Sequence, residues 1–224
     1  MVGRFEPEPG LQAIVLNGPA ERGGNMLAVW NESAPPHASQ LNMVLGSSPV
    51  AIDVWGNRVD VPQINGKHQV VLTGTPIFIE GIDANLALLR ASFSIDPPHI
   101  ESTNVPHQRT LRLTNPWPRT LVGTFRIVGP EGWQFAPSRF DISVAAGETR
   151  ELPVTVTFPV GELAGPKRLT VRASFTTDKE YDIALTAPMK LGLKDVEFDA
   201  NLSIEPGPDG TRDAVVTVLL TSRS

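Results

Sequence analysis

Residues 152–158 read Leu-Pro-Val-Thr-Val-Thr-Phe, with an apolar side chain at every second position. Strict alternation of this kind is typical of a β-strand with one buried face and one solvated face. Residues 168–175, Arg-Leu-Thr-Val-Arg-Ala-Ser-Phe, repeat the pattern. Two such strands so close together predict an antiparallel sheet in this part of the chain.

The residues around these two strands predict a complete sandwich over 92–188. Short apolar runs lie at residues 93–96, 110–114, 123–128, 140–144, 151–158, 169–175 and 181–187. Pro97-Pro98 ends the first run, because proline has no amide hydrogen to donate to a strand ladder. Seven strands in about 100 residues fit an immunoglobulin-like β-sandwich.

Residues 1–91 predict another β-sandwich. Runs rich in β-branched and aromatic residues lie at 11–17, 26–31, 41–45, 50–55, 69–73 and 76–80, and turn residues separate them. This spacing is typical of a sandwich or a small barrel. Residues 82–91 leave two interpretations open, a short helix capped by Asp83 or a last strand.

Residues 189–224 predict a long β-hairpin, with strands at 196–204 and 214–221 around a turn at 205–210. A two-stranded hairpin is marginal in water by itself. The hairpin is therefore expected either to complete the first sheet or to open a third module. The predicted fold class is all-β, with tandem β-sandwiches and an immunoglobulin-like second domain.

Composition excludes several classes of function. The net charge of −5 is unsuited to a nucleic-acid partner, which requires a basic face. There is no cysteine, which excludes disulfides, thiolate metal sites and cysteine nucleophiles. No apolar run is long enough to predict a membrane span, and the residues after Met1 do not resemble a signal peptide.

Catalytic chemistry is not indicated by the carboxylates or by serine motifs. Asp53 and Asp60 flank a turn, and a glycosidase requires two facing carboxylates. We expect both to be solvated turn residues. A Gly-x-Ser-x-Gly nucleophile elbow is absent from the sequence. The chain is predicted not to be an enzyme and to use no cofactor.

Metal binding is not indicated either. The histidines His37, His68, His99 and His107 do not show the His-x-His or His-x3-His spacing of a shared metal, and solvated loop positions are expected. Asp195, Glu197 and Asp199 alternate along one strand. They suit either a calcium site or a solvated outer face, and we predict the latter.

Tryptophan side chains are the candidates for ligand binding, because sugars stack on exposed aromatic rings. Trp30 and Trp133 are expected in the core. Trp55 lies where a strand meets a turn, and Trp117 is held between Pro116 and Pro118 on a loop. Trp117 and Trp55 are therefore the two candidate ligand-binding residues, and for Trp117 the alternative, a loop tryptophan that caps the core, is the commoner arrangement.

The middle unit carries motifs of a known family. Residues 129–135 (Gly-Pro-Glu-Gly-Trp-Gln-Phe), Ala146-Gly147-Glu148, 154–159 and 165–173 follow one another in the order of a domain attached to bacterial glycosidases. The unit resembles the immunoglobulin-like NEW3, or alpha-galactosidase-associated, domains. It departs from them at Ala146, where proline is usual, and at residues 167–169, where an aromatic residue is expected.

The first unit resembles the C-terminal β-domain that follows the catalytic barrel of glycoside hydrolases. The similarity rests on residues 26–31 (Met-Leu-Ala-Val-Trp-Asn), 54–59 (Val-Trp-Gly-Asn-Arg-Val) and 69–80. Together the resemblances imply the downstream part of a larger extracellular or cell-surface protein. They imply a non-catalytic accessory, spacer or carbohydrate-binding role, with a polysaccharide and other domains of a longer chain as partners. The alternative is a cell-surface adhesion or assembly module acting through protein–protein contacts.

Overall fold

The computed structural model describes residues 2–18, 24–33, 38–193, 196–206 and 212–222. Within these ranges almost all regular structure is β-strand, with a single short helix. The prediction of an all-β fold is confirmed. No described helix is long and apolar enough to cross a membrane.

The first unit contains two packed sheets. Its strands are β1 (Gly3–Phe5), β2 (Leu11–Asn17), β3 (Asn25–Asn31), β4 (Ser39–Met43), β5 (Val50–Asp53), β6 (Arg58–Val59), β7 (Gln63–Ile64), β8 (Lys67–Leu72) and β9 (Ile77–Glu80). One sheet has the order β1-β2-β3-β9-β5-β6, and the other has the order β4-β8-β7. All the pairings are antiparallel.

Alternation along the strands explains why these two sheets face each other. In β2, Leu11, Ala13 and Val15 are buried, whereas the residues between them are only partly buried. Leu41 and Val70 contribute the same kind of side chain from the smaller sheet. Because successive side chains point to opposite faces of a strand, every second residue of these strands points into one shared core.

The interval 82–91, for which the sequence left helix and strand open, forms a helix. Helix α1 runs over Ala84–Ser92, and Asp83 caps it by accepting a hydrogen bond from the Leu86 amide at 3.1 Å. Leu86 and Leu89 belong to the core of the second unit, whereas Ala87 belongs to the core of the first. The helix therefore lies between the two units and packs on both.

The second unit is a sandwich of nine strands. They are β10 (Ser94–Asp96), β11 (His99–Glu101), β12 (His107–Thr114), β13 (Leu121–Val128), β14 (Gln134–Ala136), β15 (Arg139–Val144), β16 (Thr149–Thr157), β17 (Gly165–Thr176) and β18 (Glu180–Gly192). The sheets have the orders β10-β12-β16-β14 and β11-β18-β17-β13-β15. Only the pairing of β11 with β18 is parallel among these strands.

The alternating stretches seen in the sequence form the centre of this sandwich. Leu152, Val154 and Val156 of β16 are buried against side chains from the opposite sheet, including Val171 and Phe175 of β17. The short strands β11 and β14 have no clear apolar pattern, and the sequence did not predict them. The expected boundary at residue 188 lies inside β18, and the boundary at 91 lies in the last turn of α1.

The third piece is a hairpin of β19 (Val196–Pro206) and β20 (Arg212–Ser222). It forms a two-stranded sheet by itself, and its described side chains belong to neither hydrophobic core. In the described residues neither strand of the hairpin pairs with a strand of the first sheet. The outer strands of that sheet are β1 and β6 instead.

Candidate functional site

Trp55 lies on the turn between β5 and β6, where one carboxylate organises the backbone. Asp53 accepts hydrogen bonds from the Trp55 amide at 2.9 Å, from the Asn57 amide at 2.8 Å and from Asn57 Nδ2 at 2.9 Å. Gly56 has a φ of 89°, a conformation that glycine adopts without steric cost. The turn holds its backbone in place and leaves the indole 75% exposed.

The electrostatics of Asp53 fit this structural role. The hydrogen bond from the Asn57 side chain, followed by bonds from backbone amides, keeps the pKa of the Asp53 carboxyl below its usual value. A general acid of a glycosidase needs a raised pKa. Asp53 is half-buried in its own turn, and Asp60 is exposed. Asp53 thus acts as the acceptor that shapes the Trp55 turn.

Trp117 is buried, so its proline-flanked loop caps the core and does not expose the ring. Its side chain is only 2% exposed and lies 5.5 Å from the Phe175 ring and 5.3 Å from the Tyr181 ring, measured between centroids. The loop folds inward and closes one end of the second sandwich. Without an exposed face, Trp117 offers no stacking surface to a sugar in this conformation.

Asn115 explains why the loop folds inward. Its side-chain amide donates to the backbone oxygens of Arg119 at 2.8 Å, Val144 at 2.9 Å and Ala145 at 3.0 Å, while its Oδ1 accepts from the Trp117 amide at 3.0 Å. Asn115 is fully buried. Sequence reasoning missed this residue, although asparagine before proline at a strand end is a turn signal.

The other two tryptophans differ from each other. Trp133 is buried as expected, and its Nε1 donates to Glu162 Oε2 at 3.0 Å. Glu162 also pairs with Lys167, so this end of the sandwich has a small charged network. Trp30 is only half-buried and does not belong to the first core, which corrects the expectation for that residue. It lies on the outer side of β3, between buried neighbours.

Two histidines expected in solvated loops are buried instead. His68 is 3% exposed and accepts a hydrogen bond at Nδ1 from the Leu45 amide at 3.3 Å. Burial lowers the pKa of His68. His107 is buried and stacks on Phe158 with ring centroids 5.5 Å apart. Both begin or lie within strands, and this places their rings against the sandwich interior.

Metal ligands are not gathered in the part of the chain that the structure describes. No group of three or more histidine and acidic side chains there is arranged to hold an ion. His99 is half-buried, and its backbone oxygen accepts a hydrogen bond from Arg109. His37 and Asp195 lie outside the described residues, as do the side chains of Glu197 and Asp199.

A cavity of about 250 Å³ lies between the first and second units. Arg90, Arg168 and Lys67 line it together with the carboxylates of Glu8 and Asp182. The charges of the lining are mixed, so the cavity has no strong preference for an anion or a cation. No described carboxylate lies within 4.0 Å of the guanidinium group of Arg90 or of Arg168.

The two arginines in this cavity bind backbone oxygens. Arg90 donates to the Val44 oxygen at 2.8 Å, and Arg168 donates to the Glu6 oxygen at 2.9 Å. Burial lowers the pKa of Arg90 to about 10, which leaves it charged at neutral pH. Since Arg168 reaches from the second unit to the first, its charge helps to hold the units together.

None of the curated proteins matches the chain. Among solved structures, SSP-19, an MSP-domain protein like family member in Caenorhabditis elegans, is 17% identical, with 44% of this chain and 98% of that chain covered and a TM-score of 0.29. WR4, a C. elegans MSP family member, is 12% identical, with 44% and 97% covered and a TM-score of 0.29. These TM-scores are too low to support a statement about fold or function.

A family model matches part of the second unit. Its description is NPCBM-associated, NEW3 domain of alpha-galactosidase, and the match covers residues 119–176. This segment begins at the loop after Trp117 and ends at the last residue of β17, so it includes the two alternating strands. The matched family is one of non-catalytic accessory domains. The prediction of a NEW3-type domain in the middle unit is confirmed over residues 119–176.

Proposed function

We propose that this chain is a non-catalytic accessory region of a larger extracellular carbohydrate-active protein of bacterial type. The observation that carries the proposal is the match of residues 119–176 to the NEW3 domain of alpha-galactosidase. The proposed partners are a polysaccharide and the other domains of such a protein.

The structure supports a role in rigid presentation. Helix α1 contributes side chains to both cores, and Tyr181 of β18 donates a hydrogen bond to Asp83 at 3.0 Å, at the start of the helix. Contacts of this kind limit hinge motion between two domains. Two sandwiches fixed in this way form a stiff spacer that sets the distance between whatever is attached to it and the Trp55 turn.

Trp55 is the residue we propose for carbohydrate contact. Its ring is exposed, and the hydrogen bonds of Asp53 fix the backbone beneath it. An indole on a fixed backbone has only two side-chain torsions to order on binding, which suits it to stacking on a sugar ring. Trp117 cannot take this role while its ring is buried.

The first prediction concerns Trp55→Ala. If Trp55 stacks on a glycan, the variant loses most retention on the insoluble polysaccharide that retains the original chain, with about a tenfold loss of affinity, since one aromatic stacking contact is worth about 1.4 kcal/mol. Trp55→Phe keeps an aromatic face and recovers part of the retention. Retention of the original chain and of both variants is measured by depletion binding to a panel of insoluble plant and bacterial polysaccharides.

Val160→Ala is the matched control, because Val160 is another exposed apolar residue on a turn, in the second unit. Its retention should equal that of the original chain. If the original chain is retained on none of the polysaccharides, carbohydrate binding is refuted and only the spacer role remains. Equal retention by Trp55→Ala would assign the contact to another surface.

The alternative function is a cell-surface adhesion or assembly module. The specific observation in its favour is the hairpin of β19 and β20, whose apolar side chains are exposed. This surface is independent of the Trp55 turn, so the two functions can be tested separately.

A further inference from the structure

The hairpin places most of its apolar side chains on one face, while Val215 and Leu219 lie on the other. Leu202 pairs with Val216, Ala200 with Val218 and Ile204 with Ala214 in the antiparallel register. Residues directly opposite each other in such a pair point to the same side of the sheet, and positions two apart share that side. We call the surface formed by Ala200, Leu202, Ile204, Ala214, Val216, Val218 and Leu220 the apolar ribbon face.

The apolar ribbon face is open to solvent. Its five large side chains, those of Leu202, Ile204, Val216, Val218 and Leu220, are 51% to 69% exposed. The described residues of the hairpin contribute nothing to the two sandwich cores. A contiguous apolar surface of this kind marks an interaction site, because single exposed aliphatic residues are ordinary and clusters are not.

Charge on the hairpin favours a partner with the same kind of face. The apolar ribbon face has a charged side chain only beside its turn end, where Arg212 pairs with Pro206, whereas Glu205 and Asp213 pair on the opposite face. When two such faces stack about 10 Å apart, the carboxylates of both hairpins stay in water. A second copy of this chain carries the same face, and a two-fold axis between the copies brings the two faces together in one closed dimer.

The area is sufficient for a weak dimer. Burial of a large aliphatic side chain removes about 100 Å² from water, so five of them give about 500 Å² per copy and about 1,000 Å² for the pair. A specific interface generally needs about 1,000 Å² or more. The face is therefore at the lower limit, and the dimer is expected to dissociate on dilution.

We propose that the apolar ribbon face binds the same face of a second copy of this chain, so that two hairpins form a small β-sandwich with two-fold symmetry. This inference goes beyond carbohydrate binding and gives the assembly alternative a defined partner. It also supplies what a two-stranded hairpin lacks, a second layer that covers its apolar side.

The test compares Val218→Asp with Thr217→Asp. The two positions are adjacent on β20, both residues are β-branched, and they face opposite sides of the ribbon. Val218→Asp places a carboxylate inside the proposed contact in both copies, and dimer affinity should fall at least about 100-fold. Thr217→Asp places the same charge on the outer face and should change affinity less than about threefold. Sedimentation velocity of the 224-residue chain over a micromolar concentration series measures dissociation.

The original chain, Val218→Asp and Thr217→Asp should have the same circular dichroism spectrum and the same midpoint of thermal unfolding, since the sandwich cores do not include these positions. A mass equal to one chain at all concentrations would overturn the proposal and leave the face to a different protein or module. Equal weakening by both variants would also overturn it, because the contact would then not be specific to the apolar ribbon face. Retention of Trp55→Ala on polysaccharides is a separate measurement, so failure of one proposal does not obscure the other.

Discussion

At the scale of single residues, polar side chains repeatedly form hydrogen bonds with backbone amides and carbonyls. Asp53 shapes the Trp55 turn, Asn115 draws the Trp117 loop inward, and His68 accepts a backbone amide. A buried backbone group without a partner costs about as much as a lost hydrogen bond. Polar side chains, including Asp53 and His68, which were expected to be solvated, are therefore used where a turn or strand end leaves an amide or carbonyl unpaired.

The pH dependence of stability can be predicted for His68. Its folded pKa is lowered by burial, so below the unfolded value of about 6.5 the unfolded state takes up the proton more readily than the native state. Stability is therefore present above about pH 6.5 and falls as the pH drops below it. Protonation of Nδ1 also removes the acceptor for the Leu45 amide.

Chemical denaturation between pH 7.5 and pH 5 measures this effect. We expect the slope of stability against pH to be smaller in His68→Gln, which does not titrate. Asp53 gives a carboxylate contribution of the same sign, but it lies at more acidic pH because its folded pKa is below its usual value. An unchanged slope in His68→Gln between pH 7.5 and 5 would contradict the assignment.

At the scale of elements, helix α1 depends on both carboxylate oxygens of Asp83. Oδ1 accepts from the Leu86 amide, and Oδ2 accepts from the Tyr181 hydroxyl at 3.0 Å with Lys179 at 3.6 Å. Burial, followed by the hydrogen bond to Asp83, raises the pKa of Tyr181, so this hydroxyl remains a donor. One side chain thus starts the helix and ties it to β18.

Asp83→Ala should lower the free energy of unfolding by about 2 kcal/mol, about 1 for the lost cap and about 1 for the lost bond to Tyr181. Asp83→Ser is the informative control, because serine caps helices but is too short to reach Tyr181. It should recover about half of the loss. Denaturant unfolding measures both variants, and equal losses for alanine and serine would show that the cap contributes nothing.

At the scale of the whole molecule, the two sandwiches are joined by more than the chain between them. The Glu6 oxygen accepts hydrogen bonds from Arg168 at 2.9 Å and from the Thr186 hydroxyl at 2.8 Å, so β17 and β18 of the second unit hold the loop after β1. Leu89 fills the second core, and Ala87 fills the first. The two units therefore share an interface that includes buried apolar and polar contacts.

This interface predicts cooperative unfolding of the two sandwiches. Calorimetry should show one main transition, with a van't Hoff enthalpy close to the calorimetric enthalpy. The double variant Arg168→Met with Thr186→Val removes both bonds to Glu6, a loss of about 2 kcal/mol, and should separate the transition into two. Arg172→Met, an exposed position on the same strand, is the control and should leave one transition. Two transitions in the original chain would contradict the prediction.

Local pattern determined much of this protein. The alternation at 152–158 and 168–175 correctly predicted β16 and β17, and turn residues separated most of the other strands, because a period of two residues is a property of the backbone that short-range sequence carries. The NEW3-type motifs at 129–173 were recognisable for the same reason: their glycines, such as Gly132 with a φ of 77°, mark turns that few other residues adopt.

Tertiary structure decided what faces the solvent. Trp55 and Trp117 both lie beside turns, yet one is exposed and the other is buried, because only the second has Asn115 and the open end of a sandwich beside it. The choice between helix and strand at residues 82–91 depended on two cores that meet there. Exposure depends on which distant elements pack together, and a short window of sequence carries no record of that.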